Sequence, residues 1–291
     1  SCFDPNGDSL TYDVYFGTSN NPQLVASNQS TASFNPGQLN NSTTYYWKIV
    51  AKDNQGASTT GPVWSFATID QNPSSPRGEL KIFLEGPYYG NTMVTDLDSF
   101  ALVPLTQPYN ENPWNYNGNE AVDSIPPEIV DWILLELRTS PAASSVVSRR
   151  AAFVRNDGMV VDLNGDIKVT FAGVNSGSYY IVVRHRNHLS IMSKNPVEIS
   201  DFPALYDFTT SQDKAYGSQP MKLLNNGKYG MYSGDGNGNG SVNTADYNTV
   251  WKKENGSIGY KEGDFDLNGG VNIVDSNAKW KPNKGKVTQV P

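Results

Sequence analysis

A single cysteine, Cys2, stands among the 291 residues. No disulfide within the chain and no cysteine-built zinc site is open to it. Basic side chains are also scarce: Lys and Arg number 22 against 29 Asp and Glu, for a formal net charge of -7. A chain so short of positive charge has little field with which to displace counterions from a polynucleotide, so nucleic-acid partners are excluded. No run of about 18 apolar residues occurs, so no membrane span is expected. Local catalytic signatures are missing as well. There is no Gly-x-Ser-x-Gly elbow, no His-Glu-x-x-His and no phosphate loop, and the chain reads as a non-enzyme.

What fills the sequence instead is Gly, Asn, Ser, Thr and Tyr, with 26 Gly and 16 Tyr against only 18% charged residues. That mix favours short strands joined by turns. At about 100–200 residues per domain the length gives room for two or three units. Large β-domains bury enough core to need no disulfide staples, so one cysteine fits a secreted, extracellular or cell-surface chain.

Residues 1–69 carry alternating runs: Leu10, Tyr12, Val14 and Phe16, then Tyr45, Trp47, Ile49 and Ala51, then a third strand from Val63 to Thr68. Through DPNGDSLTYDVYFGT, TTYYWKIVAKDNQG and GPVWSFAT this segment resembles a fibronectin type III domain of bacterial surface proteins. The resemblance implies about two further strands before Asp4, so the chain is expected to begin inside a longer protein. Residues 70–78, rich in Pro, Ser and Asn, read as a linker.

A second β-rich region spans 79–230. Its clearest runs are Leu80–Leu84, Asp131–Arg138, Lys168–Phe171 and Tyr179–Arg184; the Asp131–Arg138 run fits a strand or a short helix equally by periodicity. Turns bearing Pro and Gly between the runs predict a sandwich of seven or more strands. Its motifs, among them QPYNENPWNYNGNE, DWILLELR and YYIVVRHRNHLSIMS, resemble a domain of secreted Bacteroidetes-type proteins with adhesin- or hemagglutinin-like labels. The resemblance implies surface display and carries over no catalytic residue.

The last segment, 231–291, repeats itself. The run from Asp235 to Asp246 recurs from Asp264 to Asp275, 29 residues on, and Trp251 recurs as Trp280 at the same shift. Calcium takes six to eight hard oxygen ligands, and a twelve-residue EF-hand-type loop supplies them from positions 1, 3, 5, 7, 9 and 12. Those positions are Asp235, Asn237, Asn239, Ser241, Asn243 and Asp246 in the first copy. In the second they are Asp264, Asp266, Asn268, Gly270, Asn272 and Asp275. Gly240 and Gly269 fill position 6, where the chain turns with positive φ. Val242 and Val271, at position 8, are expected to pair the loops across a small core. Two calcium ions are expected, the second site binding more tightly because it has three carboxylates against two.

Aspartate at position 12, a length near sixty residues and two loop-plus-short-helix units resemble a dockerin, the calcium-folded module that plugs into a cohesin. Positions 10 and 11 carry partner recognition in the cellulosomal members; here they are Thr244 and Ala245, then Ile273 and Val274. The copies differ from each other and from the usual Ser-Thr pair, which puts twofold-related binding in doubt. Pro282 is expected to stop the second helix before a third turn. Trp251 and Trp280 either close the module's own core or lie at its rim and, with Ile273 and Val274, touch a partner.

Other signals have plainer readings. The Asp4–Asp8 and Asp162–Asp166 stretches lack the loop glycine at position 6 and read as turns. His185 and His188, three apart in a strand, are expected on opposite faces, as hydrogen-bonded structural histidines rather than a metal pair. Cys2 reads as a small strand residue. Trp114, Tyr116, Tyr88 and Tyr89 offer apolar faces to sugar rings. The fold class expected is therefore mainly β: two β-sandwich domains followed by a small α-helical dockerin-like module. The function expected is structural or adhesive assembly with a protein partner or with copies of itself. The alternative is polysaccharide binding, or the accessory C-terminal region of a larger secreted enzyme.

Overall fold

Residues 4–40, 43–68 and 75–291 are described by the computed structural model. Cys2 and the 70–74 part of the expected linker lie outside them. The chain divides into two compact units, Ser1–Ser74 and Ser75–Pro291.

In the first unit five strands form one sheet. Thr11–Gly17 and Thr44–Lys52 pair antiparallel at its centre, Gln23–Gln29 flanks the former, and Ser58–Thr60 and Trp64–Ala67 flank the latter. Alternation places apolar side chains on one face: Phe16 lies opposite Trp47 and Val14 opposite Ile49, while Trp47 also faces Trp64. No second sheet covers that face among the described residues. Among the described residues only Val14 and Tyr45 of its hydrophobic side chains are buried, and Trp64, Phe66 and Phe34 are exposed along an open groove.

The second unit is built on a six-stranded sheet. Its path runs Val160–Val161, Val146–Arg155, Ile129–Arg138, Gly177–His185, His188–Met192, and Val197–Ile199 also pairs with Gly177–His185. Asp131–Arg138 is thus strand, and every residue of Ile129–Arg138 is buried. A strand covered on both faces shows no alternation, which is why its pattern also suited a helix. Arg77–Lys81 forms a separate three-stranded sheet with Val169–Thr170 and, in parallel, Leu205–Asp207. One core joins the sheets, with Leu80, Ile82, Trp132, Phe153 and Ile181 at its centre.

The repeated tail folds within this second unit rather than as a unit of its own beginning at 231. Each copy is a loop followed by a short helix, wide-wound over Asp246–Trp251 and Asp275–Trp280 and ending with Lys252–Glu254 and Lys281–Asn283. The two ends are 29 residues apart, so Pro282 does not shorten the second helix. Both stop where Asn255 and Lys284 leave helical geometry, ahead of Gly256 and Gly285 at positive φ. The molecule is mainly β with a small helical C-terminal part. Among the described residues no helix is long and apolar enough to cross a membrane.

Candidate metal centres

Each loop of the repeat gathers oxygen atoms around its own turn. In the second, Asp264, Asp266 and Asp275 bring carboxylate oxygens within 4.8 Å of one another. Asp275 accepts from the backbone N–H groups of Phe265 (2.7 Å), Asp266 (3.1 Å) and Asn272 (2.8 Å), which ties the loop's last acid to its beginning. Asp264 accepts from Asn268 and Gly269. The first loop repeats the scheme: Asp246 accepts from Asn237 (3.2 Å) and Asn243 (2.7 Å), and Asp235 from Gly240 (2.9 Å). Gly240 and Gly269 have φ of 85° and 86°, as position 6 requires.

The acids at positions 1 and 12 are all buried. Burial first, and the neighbouring Asp246 second, push the Asp235 carboxyl up to about 7. Burial likewise takes Asp264 to about 7 and, with Asp266 adding repulsion, Asp275 to about 6. Asp246 and Asp266 are raised too, chiefly by burial. Asp235 is 2% exposed and its Oδ1 has no hydrogen-bond partner. An orphaned buried carboxylate oxygen is costly unless a cation meets it. The donor set is carboxylate, amide and carbonyl oxygen, which suits a hard cation such as calcium and not a soft one.

Val242 and Val271 share one small core with Trp251, Trp280, Phe265, Leu189 and Tyr232, as expected, while their backbones bond elsewhere. Val242 exchanges backbone bonds with Gly285 and Lys286, and Val271 with Gly256 and Ser257. Each loop is therefore laced to the segment that follows the other copy's helix. The indoles cross in the same way: Trp251 Nε1 donates to Asn272 O (2.8 Å) and Trp280 Nε1 to Asn243 O (2.9 Å). At 5% and 8% exposure both tryptophans are interior, not rim, residues. Ile273 and Val274 remain at the surface, 58% and 46% exposed.

His185 and His188 do meet, against the expectation of opposite faces. Arg186 and Asn187 form a two-residue turn, so the histidines face each other across a hairpin with their Nδ1 atoms 3.1 Å apart. His188 Nε2 accepts from Gly86 N, so its proton sits on Nδ1, facing Asn187 Oδ1 at 2.8 Å. His185 Nδ1 accepts from Asn187 N, leaving Nε2–H to donate to Asp131. Both are structural, as their bonding satisfies both ring nitrogens. Asn187 was not legible as a site residue, yet it touches both loops: its carbonyl accepts from Asp235 N and its amide donates to Asp264 O.

The four aromatics read as a sugar platform do not form one. Tyr116 is buried, Trp114 stands edge-on to Tyr109, Tyr88 packs on Phe83, and only Tyr89 is fully open. The two turns form as expected: Asp4 Oδ1 accepts from Asn6 and Asp8, and Asp162 N donates to Asp166 O.

No protein-family model matches this chain, and no curated protein matches it. Among solved structures, a chain of a type II cohesin–X–dockerin complex from Acetivibrio cellulolyticus, a C-terminal interface mutant, is similar at 19% identity. The likeness covers 54% of this chain and 82% of that one with a TM-score of 0.28. At that score it carries no argument about fold or function. What the structure defines is a mainly β protein with a three-carboxylate cluster, Asp264, Asp266 and Asp275, in a small helical C-terminal part and another, Asp4, Asp8 and Asp53, in the first unit.

Proposed function

We propose that this is a non-catalytic, secreted or cell-surface protein that assembles with a protein partner through a calcium-loaded, dockerin-like C-terminal part. One ion belongs to each EF-hand-type loop, held by Asp235, Asn237, Asn239, Ser241, Asn243 and Asp246 in the first. Asp264, Asp266, Asn268, Gly270, Asn272 and Asp275 hold the other. The observation that carries the reading is the buried, unpartnered Asp235 Oδ1 inside a loop of converging oxygens. Calcium supplies there the positive charge that the buried acids lack.

The partner surface is read from Ile273 and Val274, apolar and exposed at the start of the second helix where the first copy has Thr244 and Ala245. A cohesin-like protein or a neighbouring copy of the chain suits such a patch. The two strand-rich regions, fibronectin type III-like and adhesin-like sandwiches in this reading, serve as spacers. Calorimetric titration of the full chain with calcium should resolve two sites; heat for neither removes the metal reading. Changing Ile273→Ser together with Val274→Thr should leave calcium affinity within about twofold and weaken calcium-dependent association in light scattering. Unchanged association would place the contact elsewhere.

A further inference from the structure

The two loops meet at one buried residue of the large sheet's hairpin. Asn187 is fully buried at the turn between Gly177–His185 and His188–Met192. Its carbonyl oxygen accepts from Gly234 N (3.0 Å) and Asp235 N (3.2 Å), at the first ligand position of the first loop. Its side-chain Nδ2 donates to Asp264 O (2.7 Å) and Glu262 O (3.1 Å), at the equivalent position of the second. The amide orientation is fixed from behind, because the His188 Nδ1 proton faces Asn187 Oδ1 and so leaves Nδ2 to the two carbonyls.

We propose that Asn187 is a positioning residue for both ion sites and that, through it, the two ions bind cooperatively. This rests on the calcium reading above. Ordering a loop around its ion costs conformational entropy. The first ion to bind orders position 1 of its own loop, and Asn187 passes that order to position 1 of the other. The second ion then meets a loop already arranged, which is positive coupling. The reciprocal bonds of Trp251 to Asn272 and Trp280 to Asn243 join the loops again at position 9.

A double-mutant cycle on the full chain reads this coupling directly. Calcium binding is followed by calorimetry for the parent, Asn187→Ala, Asp246→Asn and the double variant, with near-ultraviolet circular dichroism confirming the fold at saturating calcium. Disabling the first loop with Asp246→Asn should weaken the second site about tenfold in the parent, within the usual range of coupling. In the Asn187→Ala background the same change should weaken it less than about twofold, and Asn187→Ala alone should lower second-site affinity. A merely structural role for Asn187 lowers thermal stability but leaves the Asp246→Asn penalty equal in both backgrounds, and that result overturns the inference. So does a parent whose second site ignores Asp246→Asn. Should Asn187→Ala not fold, Asn187→Ser, whose side chain is too short to hold both Asp264 O and Glu262 O, enters the cycle with the same two outcomes. A parent that binds no calcium defeats the metal reading itself; two independent sites defeat only the coupling.

Discussion

Asp235 sets folding against the proposed ion in a single side chain. In the ion-free chain its carboxyl is raised to about 7, as is that of Asp264, with Asp275 at about 6. Each value lies above the unfolded one, so between about pH 4 and pH 7 the native state binds more protons than the unfolded state. Stability without calcium therefore falls as pH rises through that window. Asp131 acts in the opposite sense: burial raises its pKa, but Arg186, His185 and Tyr260 more than offset this and hold it at about 2. Its contribution is lost only below about pH 4, outside the window. Melting temperatures of the ion-free chain should drop from pH 5 to pH 7.5, and those of the calcium-saturated chain should stay nearly level. Asp235→Asn should raise ion-free stability at pH 7.5 by on the order of 1 to 2 kcal/mol and weaken the first calcium site. An ion-free chain that grows more stable toward pH 7.5 contradicts the buried-acid account. The convergence of the loop acids was legible because their side-chain oxygens recur at fixed offsets along a dozen residues, twice over. Asn187 was not, since its bond to Asp264 spans 77 residues and no local pattern announces it.

At the scale of elements, the Ile129–Arg138 strand shows how burial on both faces hides a period and how charge survives inside. Glu136 is fully buried on it, held by Arg138 Nε (2.7 Å), Arg149 Nε (2.8 Å) and Arg184 Nη2 (3.4 Å). Burial alone raises the Glu136 pKa, but Arg184, Arg138 and Arg149 together bring it below the ordinary value. Glu136→Ala leaves the buried Arg138 guanidinium without its carboxylate and should cost about 3 to 5 kcal/mol in urea unfolding. Arg149→Ala, at a side chain more than a third exposed, should cost under about 1 kcal/mol. Equal costs for the two would mean that burial does not set the energetics of this cluster. The strand Gln23–Gln29 escaped the sequence for another reason. Its QLVASNQ has no clean alternation, and it is recruited to the sheet edge by backbone pairing with Thr11–Gly17. The short helices of the tail were legible because the repeat states each twice.

Over the whole molecule, the sequence suggested a tail that folds apart from the sandwich before it, and the packing argues for a joint fate. Glu85, beside the Arg77–Lys81 strand, accepts from Ser233 N (3.1 Å) at the start of the tail and from Asn283 Nδ2 at the end of its second helix, and pairs with Lys222. Gly86 approaches so closely that a Cβ there would lie 2.1 Å from Phe265 O. Thr288 Oγ1 donates to Ser190 O (2.7 Å), Leu267 of the second loop belongs to the large core, and Leu189 of the hairpin belongs to the tail's own. These contacts join residues far apart in sequence, which periodicity and loop spacing do not register. With so much shared surface, the ions should stabilise the sheet as well as the loops, because a ligand of the native state stabilises every segment that unfolds with its site. Hydrogen exchange on the full chain tests this. Calcium should slow exchange in Ile129–Arg138 and in Asp246–Trp251 by similar factors, and leave Thr44–Lys52 of the separate N-terminal unit nearly unchanged. Protection gained by the tail alone, with the central strand indifferent to calcium, would show that the tail opens by itself and that the contacts through Glu85 and Asn187 are too weak to bind the two fates together.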